Sequence, residues 1–325
     1  MERKTRQAQG PTLSMVSSNL KVKTAWLYYV EGMTQEQIAE MLGVSRVKVM
    51  RTLAACTEEG IVVTTINRQT AAQIALERAL ESRWGLSSAV VVPTPSSEEH
   101  LETAIGHAVA KYLGEHMVSG MTLAIGGGAT LYASLKFIER RKLENASVVA
   151  LVGSLPHARW INPSIVAAKV AEIYGIDSYQ ITAPVIVDDP RLRDALWAQP
   201  TLEEVRNNAA KANIALLTVG GLSPKATIFR HGIVSADLIK PLKAKGAVAN
   251  ILCHFVDAEG RLVDHPVNSQ VMAIDLDIVA RIPNVIIAAG GPDKIEAIRA
   301  ALKVVSASVL ITDSETAKAL TAEAE

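Results

Sequence analysis

The sequence predicts an α/β protein in two parts: an N-terminal all-helical helix-turn-helix domain, then a Rossmann-like, mostly parallel α/β domain. Three observations lead there. The chain has 325 residues, long for one domain and comfortable for two. Hydrophobic residues make up 49% but aromatics only 4%. The core is therefore built from Val, Ile, Leu and Ala, which suits a parallel sheet covered by helices. After Leu86, short β-branched runs alternate with amphipathic helical stretches, the pattern of βαβ units.

In chain order, residues 1–18 are polar, carry a Gly10-Pro11 break and read as a disordered tail. A helix is expected over 21–30, ended by Glu31-Gly32. Thr34 is an N-cap, with Gln37 three residues on to complete a capping box for a helix over 35–42. Gly43-Val44 makes the turn, Ser45 caps a second helix, and 60–63 is a short extended piece. Residues 19–63 thus form the head. A helix over 70–84 is expected to link the two parts across 64–85, leaving 86–325 as the second domain. A fragment beginning near Leu86 is expected to fold alone. Its strands are expected at 89–92, 121–125, 147–152, 179–182, 214–219, 247–252, 285–289 and 308–312. Helices are expected at 98–117, 130–140, 164–174 and 293–302.

Charge is unevenly spread although the net charge is zero. Residues 1–57 hold eight Lys/Arg against four Asp/Glu, so a basic head sits on a mildly acidic body, as suits a head that meets a polyanion. Two cysteines, Cys56 and Cys253, are too few for a disulfide framework. No apolar run is long enough to span a membrane, and 1–18 has no apolar signal core, so the expected location is cytoplasmic.

The segment QEQIAEMLGVSRVKVMRTL at 35–53 has helix-turn-helix spacing. Ala39 is small where the helices cross, Gly43 supplies a left-handed turn, and Ile38, Leu42, Val44, Val49 and Leu53 supply apolar contacts. The alternative is an ordinary helical hairpin. Two apolar stripes compete on the second helix: Val47, Met50 and Ala54, or Val49, Leu53 and Cys56. The turn register favours burying the second, which aims Ser45, Arg46, Val47, Met50 and Arg51 at a DNA major groove. Arg46 or Arg51 would pair with guanine, and Val47 or Met50 would touch a thymine methyl. Lys48, Thr34 and Gln35 are candidates for phosphate contact.

In the second part, LAIGGGATL at 123–131 is a strand running into three glycines and a helix start. Such a turn lets backbone amides approach an anion, or is only a turn. It lacks the spacing of a dinucleotide fold and the ending of a P-loop. VIIAAGGPDK at 285–294 repeats the arrangement, with Lys294 near a helix start, where a cation is unfavourable unless an anion joins it; a surface lysine is the alternative. Cys253-His254 looks like a dyad, but adjacent strand residues face opposite ways and a buried Cys reads better. Asp188-Asp189 reads as a loop and helix cap. His100, His107 and His116 lack partner carboxylates at metal spacing, so no metal and no cofactor are expected, and no catalytic residue is assigned. His157 is a weak pocket candidate.

Taken together, these stretches resemble the SorC family of sugar-binding transcriptional regulators over about residues 25–320. The matching pieces are 32–60 for the head, IGGGATL at 125–131, VAAKVAEIYG at 166–175, HFVDAEGRLVDHPVN at 254–268, VIIAAGGPDKIEAIRAAL at 285–302 and VLITDSETAKAL at 309–320. The resemblance implies an effector domain similar to glucosamine-6-phosphate deaminase and ribose-5-phosphate isomerase, a sugar, polyol or phosphosugar effector, and a homodimer or homotetramer on palindromic double-stranded operator DNA. It maps the effector site onto Gly126, Gly127, Gly128, Ala129, Thr130 and Lys294. Asn250 stands where the family often has an acid, and Gly153-Ser154 where some relatives carry an Arg. Both departures suit a less charged ligand, such as a monophosphate or a free polyol. The reading is a regulator of a carbohydrate or polyol operon, not an enzyme. Its rivals are a sugar-phosphate isomerase or deaminase fused to a DNA-binding head, and a protein-interaction module.

Overall fold

The computed structural model describes residues 13–63, 71–155 and 162–322, with side chains from Leu20 onward. The chain divides into two compact units, Met1–Arg68 and Gln69–Glu325.

The first unit holds α1 (Leu13–Tyr29), α2 (Gln35–Leu42) and α3 (Arg46–Glu58). The capping box forms as expected: the Thr34 amide donates to Gln37 Oε1 at 2.8 Å and the Gln37 amide donates to Thr34 Oγ1 at 3.3 Å. Gly43 ends α2 with φ +61. A Cβ there would meet nothing within 4 Å, so it is the left-handed backbone, not space, that calls for glycine. Ser45 then caps α3, its hydroxyl accepting from the Lys48 amide at 3.2 Å. Leu27, Ile38, Val49 and Leu53 make the core of the three helices. The head is longer at its start than expected. Residues 13–18, read as part of a disordered tail, lie in α1, and 1–12 fall outside the described residues. Residues 60–63 form a turn and a bend rather than a strand, with the Val62 amide donating to the Cys56 carbonyl.

The second unit is built on a seven-stranded sheet of β1 (Ser88–Val92), β2 (Thr122–Ile125), β3 (Ser147–Ala150), β4 (Asp177–Tyr179), β5 (Ile214–Leu217), β9 (Asn284–Ala288) and β10 (Val309–Asp313). A separate small sheet holds β6 (Val219–Gly221), β7 (Ala249–Ile251) and β8 (His254–Val256). The large sheet runs β1-β10-β9-β5-β2-β3-β4, every pair parallel. Alternation along its strands feeds two cores. Leu123, Val148 and Val309 join one cluster, while Ala124, Val149 and Leu310 join the other, so both faces are covered.

Helix α4 (Ala71–Trp84) corresponds to the expected linker, but it belongs to the larger unit. Its Leu80 is fully buried. Glu77 and Glu81, one turn apart, accept from the amides of Val91 at 3.0 Å and Ala89 at 3.0 Å. These are the outward-pointing amides of β1, the sheet's edge strand, so α4 closes an edge that would otherwise stay unpaired.

Two expected strands behave differently. The run 214–219 breaks at Thr218 into β5 and β6, and 247–252 joins the antiparallel small sheet instead of the large one. β8 was not anticipated. The helix expected over 130–140 is the six-residue α6 (Ala129–Ser134), and 98–117 is α5 (Glu98–His116). α7 (Pro163–Tyr174) matches its expectation.

The strand order fixes where a ligand can enter. From β2 the chain steps outward to β3 and β4, then crosses back to β5 on the other side of β2 and continues to β9 and β10. The loops leaving β2 and β5 therefore part in opposite directions and open a crevice at the carboxyl ends. β5 lies between β2 and β9, so the two glycine-bearing strand ends flank it rather than meet.

Candidate functional site

On the head, Val49, Leu53 and Cys56 are buried. Val47 and Met50 are 53% and 51% exposed, and Ser45, Arg46, Lys48 and Arg51 are exposed with them. The structure brings these six residues onto one open face of α3, the face the turn register favoured. Arg46 reaches back to α2, its Nη1 3.1 Å from Glu36 Oε1. Lys48 and Arg51 form no ion pair among the described residues. Thr34 and Gln35 share a shallow depression with Tyr28, Glu36 and Arg46. The amide of Thr34 is already engaged by Gln37, which leaves Gln35 the better placed of the two for a phosphate.

In the larger unit, a cavity partly open to solvent lies at the crevice. Gly126, Gly127, Gly128, Ala129, Thr130, Asn250 and Lys294 all line it. The glycine turn is tightly specified. The Gly126 amide donates to the Leu216 carbonyl at 2.9 Å, and Thr218 Oγ1 donates to the Gly127 carbonyl at 2.8 Å. Gly128 has φ +111, and a Cβ there would lie 3.0 Å from Thr218 Oγ1. The amides of Gly127 and Gly128 have no partner among the described residues. α6 is only six residues long and uncapped by a side chain, so an anion at this end of the cavity would depend on loop amides rather than on a helix dipole.

The second glycine turn works differently. Gly290 and Gly291 do not line the cavity. The Gly291 amide donates to Asp313 Oδ2 and Thr316 Oγ1, so this amide is not available to an anion in the cavity. Only Lys294 from that loop arrives, at the end of a 3-10 turn, Pro292–Lys294, that precedes the helix Ile295–Val304.

Asn250 sits on β7, and its Nδ2 is a buried donor with no partner among the described residues. Beyond it, Leu252 (φ +48) and Cys253 (φ +65) turn the hairpin in the left-handed region, where non-glycine residues are strained. Both reach the cavity. Cys253 is half-buried, and its surroundings push the thiol up to about 12, which disfavours a thiolate at neutral pH. His254 is buried on β8, its pKa pushed down by burial to about 4. Thus the two do not act as a dyad. At position 153 a Cβ would lie 2.6 Å from the Ala183 carbonyl oxygen, so no arginine fits there.

Sequence reasoning missed several lining residues: Thr218, Lys225, Arg230, Glu98 and Glu102. The two glutamates lie one helical turn apart at the start of α5, a spacing that was legible. Burial raises the Glu102 carboxyl, opposed by the charges of Lys294 and Arg230. The cavity thus combines three cations with two carboxylates. Asp189 caps its helix, its carboxylate accepting from the Arg191 amide, as expected. Among the described residues no cluster could hold a metal ion. His157 lies outside the described residues. No helix among them is long and apolar enough to cross a membrane.

Comparison with known proteins gives two family matches: a sugar-binding domain over residues 68–322 and a Crp-like helix-turn-helix domain over 28–83. The chain belongs to the SorC family of sugar-binding transcriptional regulators. The erythritol catabolism regulatory protein EryD of Brucella abortus is 30% identical over 308 residues, 93% of this chain and 96% of that one. The deoxyribonucleoside regulator of Bacillus subtilis is 30% identical over 306 residues, covering 93% and 96%. The crystal structure of the full-length sorbitol operon regulator SorC from Klebsiella pneumoniae is 25% identical and covers 94% of this chain and 99% of that one, with a TM-score of 0.72. As a SorC-family member, the protein is a transcriptional regulator with a DNA-reading head and a sugar-binding domain.

Proposed function

We propose that this regulator controls a carbohydrate or polyol catabolic operon and that its effector, a small sugar, polyol or their monophosphate, binds in the crevice cavity. The observation that carries the reading is that the cavity is lined together by Gly127 and Gly128, whose amides have no partner among the described residues, by Asn250, whose buried Nδ2 likewise has none among them, and by Lys294. Backbone amides and a lysine suit an anionic group, since charge-assisted hydrogen bonds are the strong ones. Asn250 suits an acceptor oxygen elsewhere on the ligand, because a buried donor left unpaired costs about 1–3 kcal/mol. Thr130 and Ala129 complete the wall beside the glycines.

The relatives are regulators concerned with erythritol, deoxyribonucleosides and sorbitol, which supports a polyol or pentose-sized effector. Position 153, closed to an arginine, supports a monophosphate or an uncharged polyol over a ligand with two phosphate groups. Ser45, Arg46, Val47, Lys48, Met50 and Arg51 would meet operator DNA, with Thr34 and Gln35 at its backbone. Two copies or four would present paired heads to a palindrome in the cytoplasm.

An enzymatic role is the rival. Glu98 and Glu102 line the cavity, while the regulators among the relatives favour effector binding over turnover. A thermal-shift titration of the full chain against paired polyols, pentoses and their phosphates tests the reading. The best phosphate ester is expected to stabilise by about 2.7 kcal/mol at a hundredfold excess over its Kd, and to be recovered chemically unchanged. Lys294→Ala should weaken that ester far more than its unphosphorylated parent. Equal binding with and without phosphate would overturn the anion site, and turnover of the ester would favour the enzyme.

A further inference from the structure

The stretch TDSETAKAL at 312–320 has no part in the cavity, yet its Asp313 carboxylate accepts five hydrogen bonds. Asp313 is fully buried at the end of β10. Its Oδ1 accepts from Thr94 Oγ1 at 2.6 Å and from the amides of Glu315 and Thr316, each at 3.1 Å. Its Oδ2 accepts from Thr316 Oγ1 at 2.5 Å and from the Gly291 amide at 3.0 Å. Capping the helix Ser314–Thr321 requires only the two amides that follow. The other partners come from two further loops. Thr94 lies between β1 and α5, and Gly291 lies between β9 and Lys294.

Packing around the carboxylate is as specific as its hydrogen bonds. A Cβ at Gly290 would lie 2.3 Å from Asp313 Oδ2 and 2.8 Å from Ile105 Cδ1, so only glycine lets the β9 loop approach it. Gly291, at φ +102, then turns the chain directly into Pro292–Lys294. The Gly291 amide is held twice, by Asp313 and by Thr316 Oγ1 at 2.8 Å. Only Pro292 and Asp293 separate this clamp from Lys294, whose side chain lines the cavity. Burial alone would raise the Asp313 carboxyl, but the donors from Thr316, Thr94 and Gly291 hold it below its usual range, so the clamp is charged at neutral pH.

We propose that Asp313 is a positioning residue for the effector site: through Gly291 it fixes the turn that delivers Lys294 to the cavity, with Thr316 as its second jaw. Asp313 touches no ligand. Its contribution to anion binding passes through Lys294, and this inference rests on the anion-site reading above. A capping role alone would lower stability without altering how the protein discriminates an anion.

The test is the apparent affinity of the full-length protein for inorganic phosphate, read by thermal-shift titration. Asp313→Asn and Thr316→Val are each expected to weaken phosphate about tenfold, the scale of one charge-assisted contact. Lys294→Ala with Asp313→Asn should be no weaker than Lys294→Ala alone, because residues acting through one group are not additive. Thr316→Ser, which keeps both hydroxyl bonds, should bind as wild type. Should Asp313→Asn not fold, Thr316→Val against Thr316→Ser decides. Wild-type phosphate affinity in Asp313→Asn and Thr316→Val, or losses that add to that of Lys294→Ala, would overturn the positioning role while leaving the anion site standing. A wild type indifferent to phosphate, or a Lys294→Ala variant that responds like wild type, would overturn the anion site and the clamp with it.

Discussion

His254 shows how one residue beside a ligand site can set the acid limit of the whole domain. It is 2% exposed, and its Nδ1 has no partner among the described residues. Burial outweighs the attraction of Asp275 and holds its pKa at about 4, against about 6.5 for a free imidazole. The unfolded chain therefore takes up this proton first. Stability from the neutral ring is complete above about pH 6.5 and is lost as the pH falls toward 4. The melting temperature of the full chain is expected to drop across that window, and His254→Gln should flatten the drop. An equal slope in both proteins would show that other groups govern it. The same hairpin carries Asn250 and the left-handed pair Leu252 and Cys253, none of which has a sequence signal for its conformation: nothing in Ile-Leu-Cys-His announces a turn. Only the contact with Gly126, where a Cβ would come within 3.3 Å of Leu252 Cδ2, explains why this tip is held against the glycine loop.

At the scale of elements, the glycine turn of β2 was legible because a strand end, three glycines and a helix start follow one another locally. The role of α4 was not. Its helical pattern was plain, but the partners of Glu77 and Glu81 lie on β1, a pairing set by which strand ends up at the edge. Burial raises the Glu77 carboxyl, partly offset by the Val91 amide, consistent with a carboxylate enclosed at that edge. The expectation of a folded fragment from Leu86 is revised accordingly. A fragment beginning at Gln69 should unfold cooperatively near the temperature of the full-length larger unit. One beginning at Leu86 loses Leu80 and both edge acceptors, and should be destabilised by at least ~4 kcal/mol or associate through β1. Equal denaturant midpoints for the two fragments would contradict this.

For the molecule as a whole, fold class and family were open to reading, since alternating runs and local motifs carry both. The assembly of the cavity was not. That Lys294 reaches the site while Gly291 turns away to Asp313, and that α5 contributes Glu98 and Glu102, depends on strand order, which no local pattern encodes. The same holds for β5 standing between the two glycine-bearing strands. A ligand in this cavity can change how the head holds DNA only as far as it prefers one state of the protein over the other. The direct measurement is binding of the full chain to its own promoter fragment, titrated at fixed salt with the phosphate ester that stabilises it best. Wild type should change its operator affinity with the ester. Lys294→Ala should bind the operator as wild type and lose the response. Arg51→Ala should lose about 1–3 kcal/mol of specific binding while still binding the ester. An operator affinity untouched by every compound that stabilises the protein, or a full response retained in Lys294→Ala, would contradict the account.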